Sequence, residues 1–162
     1  MSAINHQLST SEVNAILKAV PSFRGTFPCD SIPNFKRRPV ALIVNTDPHY
    51  EPGEHWVAII LKTNRKAVYF DPLGFPPLIP SIQNYIAIHA SSGFKYSSTT
   101  LQVPTGVACG YWCIAFIMHT SRGGSLVEFL HSFRGRSGRE LQENDEKLGN
   151  WFERNKILRA TS

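Results

Sequence analysis

Residues 109 to 119, CGYWCIAFIMH, constrain the fold more than any other segment of the sequence. Apolar side chains surround the axis of a helix with this sequence on nearly every side, so such a helix must be covered by neighbours all round. Gly123 and Gly124 follow and predict its end. We therefore expect this helix to lie in the middle of the domain, with the rest of the chain packed around it.

Short apolar runs supply the neighbours of this helix. Residues 39–45, PVALIVN, predict a buried strand because they are continuously apolar and rich in β-branched side chains. Residues 55–61 and 67–71, HWVAIIL and AVYFD, flank the polar turn KTNRK and predict a β-hairpin. Residues 94–102, FKYSSTTLQ, alternate in the manner of a further strand.

Flanking helices are predicted where apolar residues recur at helical spacing. The first begins at Ser9, which forms a capping-box pattern with Glu12. The predicted helices are residues 9–20, 81–89, 126–133 and 139–155, and the predicted loops are 21–38, 72–80 and 134–139. The order of elements predicts an α+β fold, a small mixed sheet packed around a central apolar helix with flanking helices. At 162 residues we expect a single domain.

Composition and charge narrow the class of protein. An apolar content of 42% with 18% charged residues is typical of a folded domain. The sequence has no apolar run of membrane-spanning length, and its start lacks a secretory pattern, so we expect an intracellular protein with three reduced cysteines. A formal charge of +5 would suit nucleic acid or an acidic peptide, although acidic residues interleave with the C-terminal bases.

The predicted hairpin places an imidazole beside a carboxylate. If the turn centres on Thr63, His55 lies opposite Asp71, with their Cβ atoms roughly 5 Å apart. A slip of two residues would leave them diagonal neighbours. A carboxylate on one ring nitrogen sets the tautomer and raises the basicity of the other, which is half of a nucleophilic triad. Taken alone, the pattern is better explained by an ordinary surface His–Asp pair.

A cysteine stands where the loop VPTGVA enters the apolar helix. Free backbone N–H groups and the helix dipole favour a thiolate at Cys109, and a neighbouring imidazolium would favour it further. Gly110 would leave space beside the sulfur for a substrate, and Gln102 could direct its amide towards a developing oxyanion together with the backbone N–H of Cys109. Without other residues, a buried structural cysteine explains the same position.

Taken together, these segments resemble the adenovirus-type cysteine proteases (adenain) and, more distantly, the proteases that process ubiquitin-like modifiers. The matching stretches are ALIVNT, GEHWVAIIL, VYFDPLGF and LQVPTGVACGYWC, and SFRGTFPCDSIPNF resembles the N-terminal loop of that family. The likeness extends from about residue 9 to 120.

The resemblance implies a role for each matched residue. It makes His55 the general base and acid, Asp71 its orienting partner, Cys109 the nucleophile and Gln102 an oxyanion donor. Many adenovirus enzymes carry glutamate where this chain has Asp71. Trp56 would form a wall of a narrow substrate cleft, and the family's preference for Gly-Gly or Gly-X-Gly sites would follow from that narrowness.

The resemblance also bears on activation. Adenovirus proteases are activated by a viral peptide joined through a cysteine between the acid and the nucleophile, and this chain has no cysteine between Asp71 and Cys109. We therefore expect no cofactor in the chemistry itself, with nucleic acid or a non-covalent peptide as the candidate activators. Lys36, Arg37 and Arg38 are the candidate nucleic-acid contacts.

The resulting hypothesis is a viral or mobile-element cysteine endopeptidase that cleaves structural precursor proteins during particle maturation, as a monomer without membrane contact. The resemblance implies a location in the virion and the host nucleus. The alternatives are an isopeptidase that removes ubiquitin or ubiquitin-like modifiers, an acetyltransferase with the same triad, and a non-catalytic nucleic-acid-binding or capsid protein. A zinc site of Cys109, Cys113 and His119 is disfavoured, because His119 lies about 80° around the helix from Cys109. No metal is expected.

Overall fold

A five-stranded mixed sheet runs through the structure, a computed structural model that describes residues 4–51, 55–104, 106–134 and 138–157. The strands lie side by side in chain order: β1 (Phe23–Pro28), β2 (Val40–Asn45), β3 (Trp56–Leu61), β4 (Ala67–Phe70) and β5 (Phe94–Tyr96). The two outer pairs are parallel and the two inner pairs antiparallel. The helices are α1 (Thr10–Leu17), α2 (Pro80–His89), α3 (Cys109–Ser121), α4 (Leu126–His131) and α5 (Gly138–Arg154).

Both faces of the sheet are covered, which explains why its central strands are apolar throughout rather than alternating. Successive side chains of a strand point to opposite faces, and every residue of β2, β3 and β4 is buried. One set packs with α1 and α3: Ala41, Ile43, Ala58, Ile60, Val68 and Phe70. The alternate set, which includes Leu42, Val57, Ile59 and Tyr69, packs against α2.

Helix α3 occupies the central position that its composition predicts. Its first nine residues, Cys109 to Ile117, are all buried. Phe116 stacks on Phe70 of β4 with ring centroids 4.5 Å apart, and Phe129 of α4 meets the same ring edge-on. The predicted α+β class, with a mixed sheet around an apolar helix, is confirmed.

The hairpin register differs by two residues from the prediction. Leu61 pairs with Ala67 and Ala58 with Phe70, so the turn centres on Asn64 rather than Thr63. The Asn64 side chain accepts a hydrogen bond from the backbone N–H of Lys66 at 3.1 Å, and Arg65 takes a φ of 62°. Asparagine favours such turns because its side chain substitutes for a backbone acceptor.

Two other segments differ from the prediction. Residues 23–28 form β1 within the predicted loop 21–38; the strand lies at the sheet edge, where Pro28 is tolerated, and its bulge holds Gly25 at a φ of 135°. Of the predicted strand 94–102, only Phe94–Tyr96 pairs. The predicted loop 134–139 is shorter because α5 begins at Gly138, and residues 135–137 lie outside the described residues.

Within the described ranges, no helix has the length and apolarity needed to cross a membrane.

Candidate active site

His55 and Asp71 meet at one end of the sheet. His55 immediately precedes β3 and Asp71 immediately follows β4, and the imidazole Nε2 lies 2.8 Å from Asp71 Oδ1. The same carboxylate oxygen accepts the backbone N–H of Leu73 at 2.8 Å, which holds it in place. The Asp71 side chain is only 6% exposed and that of His55 21%. The predicted His–Asp pair is therefore a well-formed, largely buried pair despite the register shift.

The environment of His55 favours its protonated form. Burial lowers the pKa of this imidazole, but side-chain hydrogen bonds to Asp71 and Cys109, together with their negative charges, outweigh burial and raise the pKa to about 9. Because Nε2 faces Asp71, Nδ1 is the ring nitrogen that remains for the sulfur. The structure thus joins a carboxylate and an imidazole by a hydrogen bond and places the Cys109 thiol near enough to raise the pKa of that imidazole.

Cys109 is the first residue of α3 and is 3% exposed. The first-turn N–H groups of a helix have no intrahelical acceptor, so backbone donors are available at this position. Cys113, one turn later, differs: its Sγ donates to the Trp56 carbonyl at 3.5 Å, and burial raises the pKa of its thiol well above the ordinary value. None of the three cysteines forms a disulfide.

Gln102 lies beside the loop that follows Asp71. The backbone N–H of Leu101 donates to the Pro72 carbonyl at 2.9 Å, and the Thr100 hydroxyl donates to the Leu73 carbonyl at 2.8 Å. The Gln102 amide is buried, yet its only hydrogen bond within the described residues is a long one of 3.4 Å, from Nε2 to the Val103 carbonyl. Gln102 therefore lies beside the loop that follows Asp71, and its side-chain amide is not held by a strong hydrogen bond within the described residues.

Trp56 follows His55 and is 5% exposed. It packs in the core with α1 and α3, and its indole Nε1 has no partner within the described residues. It also borders a cavity of about 230 Å³ that reaches Thr26 and Phe27 of β1 and Asn45 of β2. Both of the roles considered for Trp56, core packing and a cleft wall, are compatible with this position.

Gly110 faces the segment that precedes α1. A Cβ at Gly110 would lie 3.7 Å from the Leu8 side chain, an ordinary van der Waals contact. Leu8 is itself a core residue, and the substrate space expected beside the Cys109 sulfur stays a prediction.

The basic cluster lies away from the triad. Lys36 and Arg37 are exposed, whereas the half-buried Arg38 donates to the carbonyls of Lys62, at 3.1 Å, and His89. Lys62 follows the far end of β3 from His55, roughly 20 Å along the strand. Arg38 thus ties the hairpin turn to α2, which leaves Lys36 and Arg37 as the accessible cations of this cluster.

The zinc site considered from the sequence has no geometric support. His119 lies about 15 Å along α3 from Cys109, and its Nε2 bonds to the Ser125 carbonyl at 2.9 Å. Among the described residues, no group of three or more His, Cys, Asp or Glu side chains could hold a metal ion.

Helix α5 contributes two polar residues that the sequence analysis did not select, Asn144 and Asp145. Asn144 is buried and Asp145 half-buried, and both bond to the segment around Gln102. The available signal was their position between Leu141 and Leu148 on the inner side of the helix, where polar side chains need buried partners.

Comparison with known proteins agrees with this geometry. The family model described as adenovirus endoprotease matches residues 23–158. The protease of snake adenovirus serotype 1 is 32% identical over 155 residues, covering 80% of this chain and 77% of the relative. The protease of bovine adenovirus 4 is 32% identical over 153 residues, covering 80% and 74%.

Solved structures share the fold at low sequence identity. The Chlamydia trachomatis effector protein Cdu1, solved bound to ubiquitin, has a TM-score of 0.62 at 13% identity, covering 96% of this chain and 95% of that one. The ASFV pS273R protease has a TM-score of 0.55 at 15% identity, covering 89% and 68%. ChlaDub1 from Chlamydia trachomatis has a TM-score of 0.50 at 18% identity, covering 75% of this chain and 60% of that one. The family match and the two adenoviral relatives show that this chain belongs to the adenovirus endoprotease family and is a cysteine peptidase.

Proposed function

We propose that this peptidase cleaves viral structural precursor proteins at Gly-Gly or Gly-X-Gly sites during particle maturation. The observation that carries the proposal is the 2.8 Å hydrogen bond between Asp71 and His55, with Cys109 at the start of α3 close enough to raise the pKa of the imidazole. The maturing particle is accordingly the proposed place of action.

Each residue has a distinct part in the proposed reaction. The Cys109 thiolate attacks the scissile carbonyl carbon, and the resulting oxyanion takes hydrogen bonds from the Gln102 amide and the Cys109 backbone N–H. The imidazolium of His55 protonates the leaving amine, and the neutral imidazole then activates the water that hydrolyses the thioester. Asp71 holds the imidazole in its orientation and stabilises its positive form.

Glycine at the cleavage site is supported by the surroundings of Trp56. The cavity that it borders has a volume of about 230 Å³, and Thr26, Phe27 and Asn45 near the ends of β1 and β2 also line it. Because Trp56 directly follows His55, a substrate that passes the indole to reach the imidazole would have little room for side chains, which favours glycine on steric grounds.

The decisive experiment compares two neighbouring cysteines. Cys109→Ala is expected to lower cleavage of a Gly-Gly reporter peptide by at least about 10⁴-fold, because the nucleophile is lost. Cys113→Ala, one turn away in the core, is expected to keep most of the turnover. Circular dichroism checks that both variants are folded. Unchanged turnover in Cys109→Ala would exclude the assignment.

An isopeptidase that removes ubiquitin-like modifiers is the second candidate. It is favoured by the fold shared with Cdu1, which was solved bound to ubiquitin, and by the Gly-Gly ends of such modifiers. A ubiquitin probe with a C-terminal electrophile distinguishes the two. Covalent labelling of Cys109 by the probe supports the isopeptidase, whereas cleavage of precursor peptides without labelling supports the maturation protease.

Nucleic acid is proposed as an activator that contacts Lys36 and Arg37, the exposed members of the basic cluster. Peptide cleavage is measured with and without duplex DNA at two salt concentrations, for the wild type and for the double variant Lys36→Ala/Arg37→Ala. Stimulation that weakens with salt and with the double substitution supports the proposal. A rate indifferent to DNA at both salt concentrations rejects it.

A further inference from the structure

Two consecutive residues of α5 hold the backbone on both sides of Gln102. The Asn144 amide donates to the Leu101 carbonyl at 3.2 Å, and Asp145 Oδ2 accepts the backbone N–H of Val103 at 3.2 Å. Asn144 also accepts the backbone N–H of Arg134 at 3.1 Å, which joins α5 to the segment that follows α4. The peptide groups on either side of the proposed oxyanion donor therefore depend on one turn of a distant helix.

Asp145 also reaches the helix that carries the nucleophile. Its Oδ1 accepts the indole N–H of Trp112 at 2.8 Å, and Trp112 lies three residues after Cys109 in α3. Trp112 is fully buried against Phe129 and Phe133, so its position is well defined. One carboxylate thus bridges the Gln102 segment, through Val103, and the first turns of α3.

From these contacts we infer that Asp145 is a positioning residue of the active site, a role that rests on the proposed function. By holding Val103 and Trp112 together, it sets the placement of the Gln102 amide relative to the backbone N–H of Cys109. An oxyanion site works only when its donors lie within hydrogen-bond distance of the point where negative charge develops. A displacement of about 1 Å is enough to cost a large factor in rate.

The burial of Asp145 has a cost that its two hydrogen bonds offset only in part. Burial raises the pKa of this carboxyl, while the Trp112 and Val103 hydrogen bonds act in the opposite direction. Because the folded-state pKa is raised, the stability that protonation adds is lost as the pH rises through that pKa. Burial therefore works against the charged carboxylate, and the Trp112 and Val103 hydrogen bonds are the contacts that favour it.

The test compares two variants that remove hydrogen bonds of Asp145 with a control variant at a neighbouring exposed position. Asp145→Asn keeps the size of the side chain but replaces one acceptor oxygen by a donor. Trp112→Phe removes only the indole donor and keeps an aromatic ring in the core. Glu146→Gln removes a negative charge from the adjacent, exposed position of the same helix. For each purified protein, kcat and KM on a Gly-Gly peptide are measured, with the rate of iodoacetamide alkylation at Cys109 by mass spectrometry.

Alkylation separates positioning from structural damage, since it needs the thiolate but no oxyanion donors. We expect kcat of Asp145→Asn to fall about tenfold and that of Trp112→Phe about threefold, with KM and the alkylation rate changed less than about twofold. Glu146→Gln should match the wild type in all three quantities.

Several results would overturn the inference. Wild-type kcat in folded Asp145→Asn shows that the bridge does not matter to catalysis. A parallel loss of hydrolysis and alkylation assigns Asp145 to general structural support. If Asp145→Asn does not fold, Trp112→Phe decides in its place by the same criteria. A wild-type protein that alkylates at Cys109 but cleaves no peptide rejects the proposed function, and this inference with it.

Discussion

The sheet half of the site, His55 and Asp71, and its loop half, residues 101–104 together with Cys109, are held in place by different kinds of interaction. The sheet half sits at the ends of two strands whose backbone ladders extend into a core buried on both faces. Residues 101–104 have no such ladder. Their long-range hydrogen bonds run to Pro72, Asn144 and Asp145, the last two on a helix some forty residues away.

This difference separates two tasks of a cysteine peptidase. The proton-transfer pair depends on strand pairing, which many backbone bonds determine together. The oxyanion site depends on a few side-chain bonds, each of which can be removed singly. We therefore expect the loop half to be the more sensitive to remote substitutions and the sheet half to substitutions at the site itself.

The largest effect is expected within the sheet half. Asp71→Asn should lower kcat/KM by about 10³-fold, because the imidazole loses the carboxylate that orients and charges it. Wild-type activity should fall as the pH rises through about 9, where His55 loses its proton. In Asp71→Asn that fall should move to lower pH, since a hydrogen bond and a negative charge that raise the pKa of His55 are removed.

A surface pair provides the control for Asp71→Asn. Asp30 and His49 also form a His–Asp pair, 2.5 Å apart but exposed. Asp30→Asn is expected to leave kcat/KM within about threefold of the wild type, because exposed ion pairs contribute little. If the high-pH fall of activity in Asp71→Asn occurs at the same pH as in the wild type, the role assigned to Asp71 is wrong.

An intermediate effect is expected in the loop half. Gln102→Ala should lower kcat by about 10²-fold with little change in KM, the usual consequence of losing one oxyanion donor. Gln83→Ala serves as the matched control, since that amide donates to the Pro77 carbonyl at 2.9 Å on the α2 side of the sheet. Both variants are measured by steady-state kinetics on the same peptide. If Gln102→Ala raises KM and leaves kcat unchanged, Gln102 is assigned to substrate binding instead.

The smallest expected effect on kcat comes from a pair of core substitutions that tests whether the loop half is more sensitive than the sheet half to remote changes. Leu148 of α5 and Ile82 of α2 are both buried aliphatic residues, packed on opposite sides of the sheet. Leu148→Ala and Ile82→Ala should each lower the free energy of unfolding by about 2–5 kcal/mol, measured by urea denaturation. Only Leu148→Ala is expected to lower kcat, by about threefold, because α5 carries Asp145. Equal values of kcat in the two variants would remove the distinction between the halves.

The sheet half was predictable from local patterns. Two apolar runs around a polar turn place His55 and Asp71 at the same end of a hairpin. The predicted register was wrong by two residues, yet the pair still forms, because side chains of a strand alternate with a period of two and a shift of two keeps both on one face. A shift of one residue would have separated them.

The loop half was predictable only in part. Cys109 at the start of an apolar helix was visible in the sequence, as was Gln102 seven residues earlier. Strand β1 was hidden by the glycine and proline that an edge strand tolerates, and the contact between Gly110 and Leu8 was not visible in the sequence. Local periodicity carries no information about which distant side chain fills a given position.

The sequence alone determined the central apolar helix, the hairpin and the types of chemical group that the site contains, because each follows from the spacing of side chains within one element. Only the tertiary structure decided how α5 is placed against residues 101–103 and Trp112, and hence which carboxylate bridges them. The physical reason is that these hydrogen bonds join residues 33 to 43 positions apart. Such contacts are selected by the packing of whole elements, after each element has formed.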